Sequence, residues 1–217
     1  MKIIKIPPQG VFAVNCYLVV TEAGNAVMID APWGHERLLA EVKKSGATLK
    51  KILVTHGHCD HIESLAAVAE ATGAEVYIHT LDAPKLTDSH TNLSEFFAAY
   101  LDENAAPYDK AICVNDGDVI TQDELSFTVL HTPGHTSGCV CYITEDVIFS
   151  GDTLFKGSIG RTDMPDGSYE TLCGSLKKLA AFKGEREDYR LLSGHGGEST
   201  LNREKDTNPF IGQFVNG

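Results

Sequence analysis

The stretch Thr55-His56-Gly57-His58-Cys59-Asp60-His61 constrains the chain more than any other, because it sets four metal-binding side chains within six residues behind the apolar run Ile52-Leu53-Val54. An apolar run followed by Thr, His and Gly reads as a buried strand ending at a turn. His56 and His58 then project from the strand's end, and Asp60 and His61 open the next helix. A lone histidine is ordinarily a satisfied core or surface residue. Three histidines and an aspartate at this spacing are costly to crowd together without an ion to compensate them.

Three further candidates follow expected strand ends: His135 in His131-Thr132-Pro133-Gly134-His135-Thr136, Asp152 in Ser150-Gly151-Asp152-Thr153, and His195 in Ser193-Gly194-His195-Gly196. Each alone has an ordinary reading as a turn or loop residue. Their convergence with the first stretch is what points to a site. Imidazole and carboxylate suit a borderline divalent ion such as zinc, and also iron or manganese. Seven ligands exceed what one tetrahedral ion takes, so His56, His58, Asp60, His61, His135, Asp152 and His195 suit two adjacent divalent ions. Among the other histidines, His35 and His90 read as surface residues, His79 ends a strand outside any motif, and His131 is expected to support its loop.

The 217 residues fall within the range of one domain, expected to span 1–217, and 42% hydrophobic content is enough for a substantial core. A net charge of −12, from 18 basic and 30 acidic residues, argues against a nucleic-acid partner, which needs a clustered basic surface. Only three apolar positions separate Met1-Lys2 from Pro7-Pro8, and no later segment reaches the ~18 apolar residues of a membrane span. No membrane partner is expected, and a cytoplasmic location follows. The six cysteines form no Cys-x-x-Cys pair and sit in apolar contexts, which suits free thiols.

In order along the chain, strands are expected at Lys2 to Ile6, Cys16 to Val20 and Ala26 to Ile29, then a helix over 34–45 closed by Gly46, then the Ile52 strand and the motif. One helix is expected from Ile62 to Thr72 with Gly73 after it, followed by a short strand at Val76-Tyr77-Ile78. Residues 80–115 are harder to read, with a helix expected at Leu93 to Leu101. Strands return at Leu125 to Leu130, Cys139 to Ile143 and Val147 to Phe149. A helix carrying Tyr169, Leu172, Leu176 and Leu179 and a last strand at Tyr189 to Leu192 complete an α/β chain.

The His-x-His-x-Asp-His stretch, the three later motifs and Gly160-Arg161-Thr162-Asp163, in this order and spacing, resemble the glyoxalase II-like thioester hydrolase branch of the metallo-β-lactamase-fold hydrolases. The resemblance covers essentially the whole chain and implies a four-layer αββα sandwich. It also implies that His56, His58 and His135 hold one ion, that Asp60, His61 and His195 hold the other, and that Asp152 bridges them. Asp60 and Asp152 are thereby the candidate catalytic carboxylates. Two features depart from the family pattern: Ile62-Glu63-Ser64 and Asp30-Ala31-Pro32 stand where relatives often carry glycines. The 22 residues after His195 are too few for the helical region with which glyoxalase II holds glutathione.

An ion-bound water has its pKa lowered from about 15.7 to about 7, which supplies a nucleophile without serine or cysteine. The expected reaction is hydrolysis of a small acyl thioester such as 2-hydroxyacyl-glutathione, whose thiolate leaves readily because free thiols have pKa values near ~8.5. Cys59 is expected to be neither nucleophile nor ligand, with its side chain turned from the imidazoles. Lys156 and Arg161 are candidates for meeting a substrate carboxylate, or else solvated loop charges, and Asp163 for supporting the site. The alternative activity is that of a mononuclear iron persulfide (sulfur) dioxygenase using His56, His135 and Asp152 on the same fold. A non-catalytic metal-binding member is a third reading, disfavoured by retention of every ligand.

Overall fold

The structure is a computed structural model and describes residues 1–101 and 106–215. Strands β1 (Lys2–Ile6), β2 (Cys16–Val20) and β3 (Asn25–Ile29) form an antiparallel meander. The chain then crosses through helix α1 (His35–Ser45) into β4 (Thr48–Leu53), which pairs parallel with β3. Strands β5 (Glu75–His79) and β6 (Ile112–Val114) extend the parallel part, so the first sheet runs β1 to β6 in order. The second sheet has the order β14-β13-β10-β9-β8-β7, built from β7 (Val119–Gln122), β8 (Leu125–His131), β9 (Val140–Thr144), β10 (Val147–Gly151), β13 (Arg190–Ser193) and β14 (Ser199–Thr200). A small hairpin, β11 (Leu154–Phe155) with β12 (Ser158–Ile159), stands apart from both sheets.

Alternation along the strands explains the layering. On β2, Tyr17 and Val19 face the second sheet and pack with Phe127, Tyr142 and Phe149, whereas Cys16 and Leu18 face the other way. That outer face is covered by α1 and by helix α3 (Leu65–Thr72), through Leu38, Leu65 and Val68. On the far side, helices α5 (Tyr169–Ala181) and α6 (Leu201–Thr207) lay Leu172, Leu176 and Leu201 on Cys141, Ile148 and Leu191. The result is helix, sheet, sheet, helix, the expected αββα order. All six cysteines are free, and among the described residues no helix is long and apolar enough to cross a membrane.

Two helices differ from expectation. The segment 59–72 is broken into α2 (Cys59–Ile62) and α3, because Ala31 takes the ladder's partners: its N–H donates to the His61 carbonyl at 2.9 Å and its carbonyl accepts from Ser64 N–H at 2.9 Å. The helix expected at Leu93 to Leu101 shrinks to α4 (Ser94–Phe97). Leu93 sits at φ 71, where it cannot continue a helix, and the Asn92 side chain accepts from the Ser94 N–H. The short strands β6, β7 and β14 and helix α6 were not read from the sequence. Each is too brief for periodicity to register.

Candidate metal centre

The seven candidate side chains come from four loops at the C-terminal ends of strands, at one end of the sandwich. Residues 55–61 follow β4, His135 follows β8, Asp152 follows β10 and His195 follows β13. Two glycines make this convergence possible. Gly151 sits at φ 47 beside a register shift in β10, and a Cβ there would lie 2.6 Å from Thr55. At Gly194 a Cβ would collide with the Asp152 carboxylate and the His61 ring.

Three donor groups form, each with its ligand atoms within 4.8 Å of one another: His56, His58 and His135; His56, His61 and Asp152; and Asp60, His61 and His195. Asp152 lies between them, its Oδ1 3.4 Å from His61 Nε2 and its Oδ2 3.6 Å from His135 Nε2 and 3.4 Å from His195 Nε2. The buried atoms His56 Nε2 and Asp152 Oδ1 have no hydrogen-bond partner, and His58 Nδ1 and His135 Nε2 face each other at 2.9 Å, a costly arrangement unless a cation takes these lone pairs. Burial and then the neighbouring imidazoles push His56 well below its usual pKa, and burial and His135 bring His58 down to about 4, so both rings are neutral, as ligation requires. At His61 and His195 burial is outweighed by carboxylates, Asp30 and Asp152 for the first and Asp60 and Asp152 for the second, which raises both pKa values. Burial likewise opposes ionisation of Asp60 and Asp152, but the His61 and His195 rings hold both carboxyls below their usual range. Positive charge is thus attracted to the spot between the carboxylates that a second cation would fill.

The residues that aim the rings were mostly invisible in the sequence. Asp30, buried and at φ 58, accepts from Thr55 N–H at 2.7 Å, from Thr55 Oγ1 at 2.8 Å and from His61 Nδ1 at 2.8 Å. His135 Nδ1 donates to the Arg161 carbonyl at 2.7 Å, which leaves its Nε2 lone pair facing the site. Asn15 Nδ2 holds the Ser193 and Gly196 carbonyls at 2.9 and 3.0 Å, and Tyr17 Oη also donates to Ser193, so a strand of the first sheet grips the His195 loop of the second. Asp82, fully buried, accepts from Gly57 N–H, Gly138 N–H, Thr136 Oγ1 and Lys85 Nζ, tying the His56–His58 loop to the His135 loop. The only trace of Asp30 in the sequence was an acid at the end of a buried strand beside the motif strand; Asp82 left none.

Other expectations resolve unevenly. Arg161 is exposed and forked onto Asp163 by two 2.7 Å bonds, so its charge is engaged; Asp163 reaches the site only through it. Lys156 is not part of the cavity wall, and His131 Nε2 holds the Ser137 carbonyl of its own loop. Cys59 belongs to an apolar cluster with Leu93 and Leu101, and burial pushes its thiol up to about 12, which makes it a poor nucleophile. Its side chain nevertheless forms part of the cavity wall.

A cavity of about 350 Å³ opens over the centre, floored by His58, Asp60, His135, Asp152 and His195. Its walls are chiefly apolar, from Phe12, Leu93, Phe97 and Met164, which pack together, and from Phe155 and Ile159 of the β11–β12 hairpin. Residues 9–195 match the metallo-beta-lactamase superfamily. A protein of Haemophilus influenzae named hydroxyacylglutathione hydrolase GloC is 34% identical over 211 residues, 96% of this chain and 97% of that protein. Among solved structures, the BLEG-1 B3 metallo-beta-lactamase superposes with a TM-score of 0.86 at 33% identity, over 97% of this chain and 99% of that one. TTHA1623 in a di-iron-bound form gives 0.81 at 35% identity, over 94% and 99%. ETHE1 from Myxococcus xanthus gives 0.78 at 28% identity, over 100% and 89%.

Proposed function

The chain belongs to the metallo-beta-lactamase superfamily, and from that premise we propose that it is a metal-dependent hydrolase of small acyl thioesters. The observation that carries this reading is the pair of donor triads on either side of one carboxylate, Asp152. In it, His56, His58 and His135 would hold one divalent ion, Asp60, His61 and His195 a second, and Asp152 would serve both. Zinc, iron and manganese all suit the donors, and the likeness to a di-iron-bound structure favours a two-ion centre. When bound, such ions acidify a water and polarise a carbonyl oxygen.

The chain's own residues do the rest. Asp30 and the Arg161 carbonyl fix the tautomers of His61 and His135 by accepting their Nδ1–H groups. Asp60 and Asp152, ionised carboxylates on the cavity floor, would orient the attacking water and take up its proton. Oxygen from water adds to the acyl carbon, the C–S bond breaks with its electron pair on sulfur, and the products are a carboxylic acid and a thiol. The sulfur leaves as a thiolate, so no strong general acid is needed, and among the described cavity residues none is placed as one. Glutathione's carboxylates would meet in the cavity wall only Arg161, already paired, so glutathione thioesters are expected to bind weakly, with a high KM.

The test is made on protein purified without added metal. Elemental analysis should give two ions per chain, and acyl thioesters should release thiol in a chelator-sensitive reaction that consumes no oxygen. One iron per chain, with oxygen uptake on glutathione persulfide and no thiol release, would transfer the case to the iron dioxygenase reading.

A further inference from the structure

From the cavity wall we infer that the acyl group this site selects is apolar, an aromatic or branched hydrocarbon acid. The inference rests on the hydrolase reading above and names its substrate class. The six apolar side chains of the wall face a floor of metal-ligand candidates, so a thioester with its carbonyl on the floor must lay its acyl substituent along that wall. Phe12 and Phe97 meet edge to face at 5.3 Å and 75°, and Phe155 meets the His195 ring at 6.0 Å and 82°, two rigid aromatic edges suited to a ring or branched chain.

The polar side chains of the wall do not offset this. Ser158 and Arg161 are both exposed, on the solvent side of the cavity, and the guanidinium is committed to Asp163. The Cys59 thiol is a weak donor buried among Leu93 and Leu101. An α-hydroxyl sits beside the carbonyl, over the floor carboxylates and imidazoles, so the wall acts on the rest of the acyl chain: a hydroxyl placed there would leave water without a partner to replace it, whereas a hydrocarbon of the same size would lose nothing. A second groove beside Phe12 carries the exposed Val11 and Tyr100 at its edge, with Asp60 and Glu63 also lining it.

The experiment compares phenylacetyl, isovaleryl and lactoyl thioesters of one thiol, N-acetylcysteamine, on the metal-loaded enzyme. Water adds to the acyl carbon and N-acetylcysteamine leaves with the proton in every case, so released thiol reads all three reactions. Phenylacetyl and isovaleryl thioesters should exceed the lactoyl thioester by about tenfold or more in kcat/KM, expressed mainly in KM. Phe97→Ala and Leu93→Ala should lower that ratio, and phenylacetate should inhibit at lower concentration than lactate. A ratio at or below one for the unmodified enzyme overturns the inference and leaves the hydrolase reading intact. Absence of thiol release from all three thioesters overturns both.

Discussion

Asp152 reaches three imidazoles with its two oxygens, while in the proposed assignment each histidine serves one ion. Asp152→Ala should therefore empty both ion positions, whereas His195→Ala should empty one. Elemental analysis after dialysis distinguishes them, and two ions retained by the Asp152→Ala variant would end the bridging assignment. At this scale the sequence was most legible where chemistry is local. His56, His58, Asp60 and His61 declare themselves because they share one turn, and His135, Asp152 and His195 because each follows a strand end beside glycine. Asp30 escaped because its role depends on a parallel pairing, β3 beside β4, that brings it against Thr55 and His61. The departure at Ala31, where a glycine commonly follows the aspartate, adds a methyl group that packs into the core, and the Ala31 backbone keeps its bonds to His61 and Ser64.

Between elements, the decisive tie is Asp82, which lies beyond β5 and fastens two ligand loops that belong to different sheets. Its partner Lys85 also bonds Asp166 at 2.7 Å, and Asp166 accepts from Ser137 N–H in the His135 loop. Removing Asp82 leaves a buried ammonium short of one partner and two N–H groups with none, a loss of about 3–5 kcal/mol. Asp82→Ala should lower Tm by at least about 6 °C for a chain of this length and weaken metal retention, with Asp82→Asn intermediate because its amide oxygen still accepts. An unchanged Tm would remove Asp82 from this role. The tie is also pH-sensitive. Burial alone would raise the Asp166 carboxyl, but the Lys85 bond and the Ser137 N–H outweigh it and hold the pKa below its usual value. Its contribution is thus complete above the unfolded carboxylate pKa of about 3.9 and fades as pH falls through the lower folded value. Strands with clean alternation, such as β8, or with a continuous apolar run, such as β2, were readable from sequence. The break between α2 and α3 was not, since it is made by Ala31, far away in the chain.

For the whole molecule, the division of the donors matters most. His56, His58, Asp60 and His61 hang from the first sheet, and His135, Asp152 and His195 from the second, so ions that bind all seven also clamp the two sheets together. Removing metal with a chelator should lower Tm by roughly 5 °C or more, the effect of losing about 2.7 kcal/mol of linkage at a ligand concentration of 100 Kd. Calorimetry beside elemental analysis checks this, and an unshifted Tm in verified apoprotein would mean that the centre is preformed and bears no load. The cavity above the centre is less evenly held. Its β11–β12 side is fastened to the C-terminal helix: Asn208 Nδ2 donates to the Phe155 and Ser158 carbonyls, and Gly157 N–H donates to the buried Glu204 carboxylate. The opposite side, Phe12, Leu93 and Phe97, rests on a loop and the four-residue α4. In evolutionary terms, the hairpin wall can change only together with the helix that holds it, and the buried Asn92, whose carbonyl accepts from Cys59 N–H, is tied to the metal motif. Divergence of substrate choice among descendants of this chain should accumulate in residues 9–14 and 95–101 and spare both the hairpin and residues 92–94.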